Sequence, residues 1–300
     1  MDFDLYSLRI FTRIHEEGSF SKAALALGLT QPTVSQQVAR LEEKLGAKVF
    51  ERVGHRVVLT HTGHDLLSFS FQMLQQSDDF YEKVSQSKVE PIGVVRYSMP
   101  ESCQWTPHYR YIMSQIKHFP MLTFEIGIHS SEVILTDLLE GRIDFGFIVG
   151  ERLHPELRFE KFADEHYSAV ASIPSLLKQL ESGDFKNLRL VAYPGWEIFF
   201  TTWAKANGMW KSARERLHTP TVKVGTLAGA IHATQEGAGV AILPTHCIRD
   251  EIALKQLQVS RIQNAKSTNP IYITKRIGTR LTKRSEIVLE MLKDAKKRIG

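Results

Sequence analysis

Residues 19–46, SFSKAALALGLTQPTVSQQVARLEEKLG, constrain the fold of this chain more than any other stretch. They predict two short helices joined by a tight turn at Gly28, which is the layout of a helix-turn-helix. Thr30 is suited to cap the second helix, and Pro32 fits its first turn, where the missing N–H is harmless. In such motifs the second helix enters the major groove of DNA.

The second of these helices has two distinct faces. Val34, Val38 and Leu41 recur at helical spacing and, with Leu45, predict one buried stripe. The other face carries side chains that can donate to and accept from the edges of bases. The candidate DNA-contacting residues on this helix are Gln31, Pro32, Thr33, Ser35, Gln36 and Arg40. An ordinary helical hairpin within a larger domain is the alternative, but it needs no such polar cluster.

The segment after this helix predicts a two-stranded wing. β-prone residues occur at 48–50 and 57–60, and the turn between them falls at Gly54-His55. Residues of the wing and of the preceding helix are suited to phosphate contacts, which fix register and affinity rather than sequence. These phosphate candidates are Ser19, Ser21, Arg52, Arg56 and Thr60.

A long helix is predicted from residue 62 to residue 87. Apolar side chains recur along it at a spacing near 3.5 residues, namely Leu66, Phe69, Met73, Phe80 and Val84. Such a helix exposes too much apolar surface to stand alone. It either pairs with a second subunit or packs on its own domain. Pro91 and Gly93 are the first breakers that follow, so residues 88–92 are predicted to form a hinge.

The pattern from Leu8 to Gly63 resembles the N-terminal domain of the LysR-type transcriptional regulators. The matching residues are Ala23-Ala24, Leu27, Gln31-Pro32, Val34-Ser35, Leu41-Glu42, Leu45-Gly46, Phe50, Arg52, Leu59-Thr60 and Thr62-Gly63. The resemblance implies a winged helix-turn-helix at residues 1–61 and a linker helix that pairs two subunits. It further implies double-stranded DNA with two-fold symmetry as partner, a homodimer that assembles further to a homotetramer, and RNA polymerase as a candidate partner.

The remaining chain, residues 93–300, alternates short β-rich runs with helical patterns, which predicts an α/β domain with mainly parallel strands. The stretches PMLTFEIGIHSSEVILTDLLEGRIDFGFIV and TLAGAIHATQEGAGVAILP resemble the effector-binding domain of the same family, which is similar to periplasmic binding proteins. That resemblance implies two lobes, residues 93–163 with 267–300 and residues 164–266, with two crossovers and a cleft between them.

An effector is expected where strands end and helices begin, since ligands of open α/β sheets bind there. The candidate effector-binding residues are Met99, Glu101, Ser102, His129, Ser130, Ser131, Val149, Trp196, Glu197 and Thr226. The serines fit the role of helix caps equally well, and Trp196 is a candidate stacking wall. Glu101 and Glu197 disfavour a purely anionic effector. The expected ligand is a small polar or amphipathic metabolite.

Composition excludes several other classes of protein. The net charge of +5 permits a polyanionic partner, but residues 1–62 hold eight Arg or Lys against seven Asp or Glu. DNA binding must therefore depend on where the charges lie. The longest apolar runs, such as Phe145–Val149, are far shorter than the roughly 20 residues that span a bilayer. The N-terminus lacks the pattern of a signal peptide, so a cytoplasmic protein without a membrane partner is expected.

Catalytic and metal-binding motifs are lacking in the sequence. No HExxH, GxGxxG or Walker pattern occurs, and Cys103 and Cys247 are the only cysteines. Neither an enzyme nor a bound cofactor or metal is expected. Two alternatives stay open. One is a solute-binding or enzymatic α/β protein with an incidental helical appendage. The other is a regulator that responds to peroxide through Cys103, either alone or together with Cys247.

Overall fold

The computed structural model describes residues 4–54, 56–84, 91–278 and 281–299. The chain divides into two compact units, Met1–Glu90 with Leu139–Arg142 and Pro91–Leu138 with Ile143–Gly300. Residues 88–90 of the predicted hinge and residue 55 of the predicted wing turn lie outside the described residues. None of the described helices is both long enough and apolar enough to cross a bilayer.

The N-terminal unit has the winged helix-turn-helix arrangement that the sequence predicts. Its helices and strands are α1 (Leu5–Glu17), α2 (Phe20–Ala26), α3 (Gln31–Leu45), β1 (Phe50–Val53), β2 (Arg56–Leu59) and α4 (His61–Val84). Gly28, with φ of +66°, makes the turn between α2 and α3 in the left-handed region that glycine favours. The core of the unit consists of Leu8, Ile10, Phe11, Ile14, Ala23, Ala24, Val34, Val38, Leu41, Val49, Phe50, Leu59, Leu66 and Leu67.

The wing is a short antiparallel pair that stays close to this core. Phe50 of β1 pairs with Leu59 of β2, and its ring lies 5.1 Å from Phe11 and 5.6 Å from Phe20. The following helix, α4, starts directly against Val49, the residue before β1. A Cβ atom on Gly63 would overlap the carbonyl oxygen of Val49, so only glycine fits at this position.

Helix α4 is 24 residues long and has both buried and exposed apolar side chains. Leu66 and Leu67 are buried in the core of their own unit. Arg9 of α1 forms an ion pair with Asp78 of α4 at 3.3 Å. Phe69 and Phe80, in contrast, are 37% and 62% exposed. The first turns of α4 thus pack on their own domain, while these two rings extend the apolar stripe into solvent.

The C-terminal unit is an α/β structure around one large sheet. Its strands are β3 (Gly93–Met99), β4 (Leu122–Ile128), β5 (Phe145–Val149), β6 (Leu157–Ala171), β7 (Val191–Ala192), β8 (Val222–Lys223), β9 (Ala241–Pro244), β10 (Gln258–Val259) and β11 (Thr268–Arg276). Its α-helices are α5 (Pro107–Gln115), α6 (Ser131–Leu139), α7 (Pro174–Glu181), α8 (Trp196–Ala206), α9 (Trp210–Ala213), α10 (Leu227–Gln235), α11 (Arg249–Ala253) and α12 (Lys283–Ile299).

The strand pairing differs from the mainly parallel sheet that the sequence predicts. The order is β10-β6-β11-β5-β3-β4, with β9 also paired to β6. β3 is parallel to β4 and β5, but β6 is antiparallel to β9, β10 and β11, and β5 is antiparallel to β11. The prediction was wrong for these antiparallel pairs. Parallel neighbours are joined by a helix that returns the chain to the same end of the sheet, whereas β6 and β11 cross directly between the lobes.

β6 carries the chain from the first lobe to the second, and β11 runs back beside it. β6 spans 15 residues, whereas the sequence predicts a strand only at residues 166–171. Its first part alternates exposed charged residues, such as Arg158 and Glu160, with buried Leu157 and Phe162. The predicted lobe boundary at residues 163 and 164 falls within this strand.

Candidate functional site

The N-terminus of α3 is fixed by its cap and by its buried stripe. Thr30 accepts a hydrogen bond from the backbone nitrogen of Thr33 at 3.3 Å, and the two hydroxyl groups lie 2.8 Å apart. Val34 and Val38 are buried against α1 and α2 in the core. The remaining faces of the first two turns therefore point away from the core of the unit.

All six candidate DNA-contacting residues of α3 are accessible. Gln31, Pro32, Gln36 and Arg40 are exposed, whereas Thr33 and Ser35 are half-buried. The side-chain amide of Gln31 donates a hydrogen bond to the Ser35 hydroxyl at 2.9 Å. This bond holds two of the candidates in one arrangement on the surface of the helix.

The five phosphate candidates fall into three groups. Ser21 and Arg52 are exposed, and Ser19 caps α2 by accepting from the Lys22 nitrogen at 3.5 Å. The side chain of Arg56 is outside the described part of the chain. The Thr60 hydroxyl donates to the carbonyl oxygen of Lys48 at 2.6 Å and accepts from the Gly63 nitrogen at 3.0 Å. The only hydroxyl proton of Thr60 is thus used within the fold, which corrects its assignment as a phosphate donor.

Glu42 is a positioning residue that the sequence reasoning missed. It is buried, and its Oε1 accepts from the Val49 nitrogen at 3.0 Å while its Oε2 accepts from Lys48 Nζ at 2.7 Å. These bonds tie the last turns of α3 to the start of the wing. An acidic residue beside Leu41, within the buried stripe, was the signal for such a role.

The C-terminal unit contains a cleft of about 620 Å³ at the ends of β3, β4 and β5 and the starts of α6, α8 and α10. Eight of the ten predicted effector residues line it. They are Glu101, Ser102, His129, Ser130, Ser131, Val149, Glu197 and Thr226. A volume of this size is within the range of small-molecule sites.

Two predicted effector residues lie elsewhere. Trp196 is 3% exposed and its ring lies 4.9 Å from Phe200 in the hydrophobic core, so it is not a wall of the cleft. The helical turn of α8 directs it inward, and Glu197 and Ile198 line the cleft instead. Met99 is 3% exposed and lines a second, separate cavity.

Glu101 spans the cleft between the two lobes. It follows β3 in the first lobe, yet its Oε2 accepts from the Leu227 nitrogen at 2.8 Å and its Oε1 accepts from the Ala228 nitrogen at 3.1 Å. Both nitrogens belong to the first turn of α10 in the second lobe, whose N-cap Thr226 accepts from the Gly229 nitrogen at 2.9 Å. A carboxylate at a helix N-terminus is favoured by free N–H groups and by the helix dipole.

Ser130 and Ser131, at the junction of β4 and α6, form structural hydrogen bonds and also line the cleft. Ser131 Oγ accepts from the Val149 nitrogen at 3.1 Å, which joins α6 to the end of β5. Ser130 Oγ accepts from the Val133 nitrogen at 3.5 Å. Ser130 therefore caps α6, whereas Ser131 bonds to the end of β5 and caps no helix, and both residues line the cleft.

The charges of the cleft include residues that the sequence did not reveal. Glu132 and Arg152 line it together and form an ion pair at 3.4 Å. With Glu101 and Glu197 they make three carboxylates and one guanidinium. Arg152 follows the third strand in a loop with no motif of its own. The other lining residues, which are not among the ten candidates, are Pro100, Gln104, Ile128, Tyr193, Pro194, Gly195, Ile198, Phe199, Gly225 and Leu227.

Both halves of the chain match known protein domains. Residues 5–64 match the profile described as bacterial regulatory helix-turn-helix protein, lysR family, and residues 90–297 match the LysR substrate binding domain. The chain belongs to the LysR family of transcriptional regulators. It thus combines a helix-turn-helix DNA-binding domain with an effector-binding domain, and the family predicted from the sequence is confirmed.

Curated relatives and solved structures agree with this LysR-family assignment. A probable RuBisCO transcriptional regulator of Cyanophora paradoxa is 26% identical over 273 residues, covering 88% of this chain and 83% of the relative. A full-length OxyR variant from Pseudomonas aeruginosa superposes with a TM-score of 0.71 at 19% identity, covering 99% of this chain and 95% of that one. Full-length CbnR in complex with its target DNA gives a TM-score of 0.60 at 18% identity, covering 99% and 100%.

Proposed function

We propose that this LysR-family regulator reads promoter DNA with the exposed leading turn of α3. The observation that carries the proposal is that the first turns of α3 have two different faces. Val34 and Val38 are buried, whereas Gln31 and Gln36 are exposed. Amide side chains of this kind can form two hydrogen bonds with adenine in the major groove. The capped N-terminus of the same helix favours a nearby phosphate.

Arg52 and Ser21 supply contacts that do not depend on sequence. Both are exposed, Arg52 on the wing and Ser21 on α2. A guanidinium that neutralises a phosphate adds affinity for any DNA and makes binding sensitive to salt. The wing and α2 thus fix the register in which α3 meets the bases.

Two subunits are needed to bind a two-fold operator, and α4 is the proposed dimerisation helix. Its support is the pair of exposed rings, Phe69 and Phe80, on a helix of 24 residues. Burying them against a second copy removes apolar surface from water. The two recognition helices of a dimer then meet half-sites about 34 Å apart or a multiple of that distance. Association of dimers to a tetramer and contact with RNA polymerase extend this proposal.

The effector is proposed to carry a positive charge or several hydrogen-bond donors. Glu101, Glu132 and Glu197 outnumber Arg152 among the charged groups that line the cleft. The guanidinium is already paired with Glu132. A purely anionic metabolite would meet net repulsion, whereas an ammonium group would meet attraction.

Ligand binding is proposed to change the arrangement of the two lobes. The contact between Glu101 and α10 already spans the cleft, so an effector acts on a closed arrangement by adding to this contact or by replacing it. The equilibrium shifts only by the difference in affinity for the two arrangements. Within a dimer or tetramer, such a change alters the spacing and the bend of the bound DNA.

An enzymatic role is not part of this proposal. The relatives are regulators, and within the described residues no three His, Cys, Asp or Glu side chains form a group that could hold a metal ion. We also propose a cytoplasmic location, where promoter DNA is reached directly.

Selection from random DNA followed by footprinting tests the proposal. The full-length protein should enrich two inverted half-sites separated by one helical turn or a multiple, and it should protect both. Enrichment of no sequence, or of a single half-site, would contradict it. A thermal-shift screen then compares amines and amino acids with dicarboxylates, because a bound ligand raises apparent stability. Stabilisation by dicarboxylates alone would contradict the proposed effector class.

A further inference from the structure

The helices α6, α8 and α10 begin at the effector cleft, and each N-terminus lies beside a glutamate. α6 and α8 have an acidic residue of their own in the first turn, Glu132 and Glu197. α10 has no acidic residue in its first turn, and the carboxylate beside it, that of Glu101, comes from the other lobe. The start of α10 is therefore a position at which this fold binds a carboxylate that the helix itself does not supply.

The first three backbone donors of α10 are all used within the fold. The carboxylate of Glu101 accepts from the nitrogens of Leu227 and Ala228, one with each oxygen, at 2.8 and 3.1 Å. The hydroxyl group of Thr226 accepts from the third nitrogen, that of Gly229, at 2.9 Å. A carboxylate of a ligand would need the two nitrogens that Glu101 occupies, and the charge of Glu101 would repel it. The side chain of Glu101 thus excludes a second carboxylate from this end of the cleft.

The surroundings of this carboxylate are small and open to the cleft. Gly225 lines the cleft beside the Thr226 cap, and a Cβ atom on it would meet nothing within 4 Å. Ala228 is exposed, and Glu101 itself is only half-buried. Truncation of Glu101 therefore leaves two free backbone donors beside space that is continuous with the cleft of about 620 Å³.

The turn that carries Glu101 is anchored to the second lobe by a further contact. The carbonyl oxygen of Ser102 lies 2.9 Å from Nε2 of His246 and 3.7 Å from Sγ of Cys247. Both partners belong to the 3₁₀ turn Thr245–Ile248, which follows β9. These contacts do not involve the side chain of Glu101. They hold its backbone near α10 when the side chain is removed, so the freed donors stay within the cleft.

We propose that Glu101 is the residue that determines whether the effector cleft accepts a carboxylate. Its side chain occupies the anion position of α10, so the native effector adds to the contact between the lobes and does not replace it. Such an effector presents a hydrogen-bond donor or an ammonium group to Glu101, because each carboxylate oxygen can accept a second bond. The inference rests on the proposed effector site, and it predicts that the loss of this one side chain converts the cleft to a site for carboxylates.

Rescue by acetate tests the inference on the full-length protein. Acetate can place a carboxylate on the two nitrogens that Glu101→Ala sets free. We expect about 200 mM sodium acetate to raise the Tm of Glu101→Ala by about 2 to 4 °C relative to equimolar sodium chloride, because a bound anion stabilises the folded state. This gain is measured beyond any difference that the two salts cause in the wild-type protein. A Glu101→Ala variant that responds to the two salts as the wild-type protein does would overturn the inference.

Three further variants separate the freed position from a general effect of charge. Glu197→Ala removes another glutamate of the cleft but leaves the donors of α10 occupied, so its response to acetate should be that of the wild-type protein. Glu101→Gln removes the charge but keeps the volume, so acetate should not enter. Glu101→Ser, whose side chain is too short to reach α10, should be rescued as Glu101→Ala is, and it gives a second protein on which the test is made. Equal rescue of Glu197→Ala or Glu101→Gln would place acetate elsewhere and overturn the inference.

The thermal-shift screen with amines and dicarboxylates, repeated on Glu101→Ala, distinguishes this inference from the proposed effector class. We expect dicarboxylates such as succinate to stabilise Glu101→Ala and not the wild-type protein. Stabilisation of the wild-type protein by amines, with no gain from acetate or succinate in Glu101→Ala, would overturn this inference alone. Rescue of Glu101→Ala by acetate in a protein that no amine stabilises would support the role of Glu101 while the proposed effector class fails.

Discussion

Glu101 Oε2 lies 2.8 Å from the backbone nitrogen of Leu227, and this bond joins the two lobes through residues that are 126 positions apart in the sequence. The second oxygen of the same carboxylate accepts from Ala228, so the first turn of α10 is capped from across the cleft. The effector-binding domain thus holds one of its own carboxylates at a position that suits an anion.

Removal of this carboxylate should loosen the contact between the lobes. We expect Glu101→Ala to lower the free energy of unfolding of the effector-binding domain by about 1 to 2 kcal/mol, because a charge-assisted cap is lost. Glu197→Ala is the matched control, since Glu197 is an exposed glutamate in the same cleft. Denaturant unfolding measures both, and equal losses in the two variants would refute the proposed role of Glu101.

Gly63 should tolerate no side chain. A Cβ atom there overlaps the Val49 carbonyl oxygen and contacts Leu59, so we expect Gly63→Ala to destabilise the N-terminal unit by about 1 to 3 kcal/mol. Gly225→Ala is the comparison, because a Cβ at that position meets nothing within 4 Å. Thermal unfolding measures the stability of both variants. If Gly63→Ala is as stable as Gly225→Ala, the overlap with Val49 does not destabilise the fold and the prediction fails.

The two thiols should be unreactive in the folded protein. Cys103 and Cys247 are 7% and 2% exposed, and burial raises the pKa of each thiol well above its ordinary value. Only the thiolate reacts readily with disulfides or peroxides. Labelling with Ellman's reagent at pH 8 should therefore require unfolding. Rapid labelling of either thiol in the native protein would revive the peroxide-sensing alternative, and Cys103→Ser would then test it.

The stability contributed by Glu165 should fall with rising pH. Burial raises its pKa above the ordinary value of 4.5, so the folded state keeps the proton at pH values where the unfolded state has lost it. Stability from this group is therefore full below pH 4.5 and is lost as the pH approaches the raised pKa. Glu165→Gln removes the titration and should gain stability relative to the wild-type protein between pH 5 and pH 8. The midpoints of unfolding of the two proteins measure this gain, which should increase as the pH rises.

Local signals explain why the helix-turn-helix could be predicted almost residue by residue. Thr30, Pro32 and Gly28 define a cap, a first helical turn and a tight turn within a few residues of one another. The first part of β6 was missed because its exposed charges dilute the hydrophobic signal of a strand. Its antiparallel partners are distant in sequence, and no local pattern reports them.

Most of the candidate residues of the cleft could be predicted from the sequence, but the hydrogen bonds that they form could not. The rule that ligands bind where strands end identified Glu101 and Thr226, yet nothing near Glu101 indicated that α10 would be its partner. Trp196 was misplaced because one aromatic residue at a helix start fits a ligand wall and a core equally well. The periodicity that it shares with Phe200 decides for the core.

The central claim is that the exposed leading turn of α3 reads bases while Arg52 contributes affinity alone. Binding of wild-type, Gln36→Ala and Arg52→Ala proteins to a selected operator and to its single-base variants, over a series of salt concentrations, tests this most directly. We predict that Gln36→Ala loses about 1 to 3 kcal/mol of discrimination at one base pair. Arg52→Ala should weaken binding to all sequences alike and reduce the salt dependence. Equal loss of discrimination in both variants, or none in Gln36→Ala, would contradict the account.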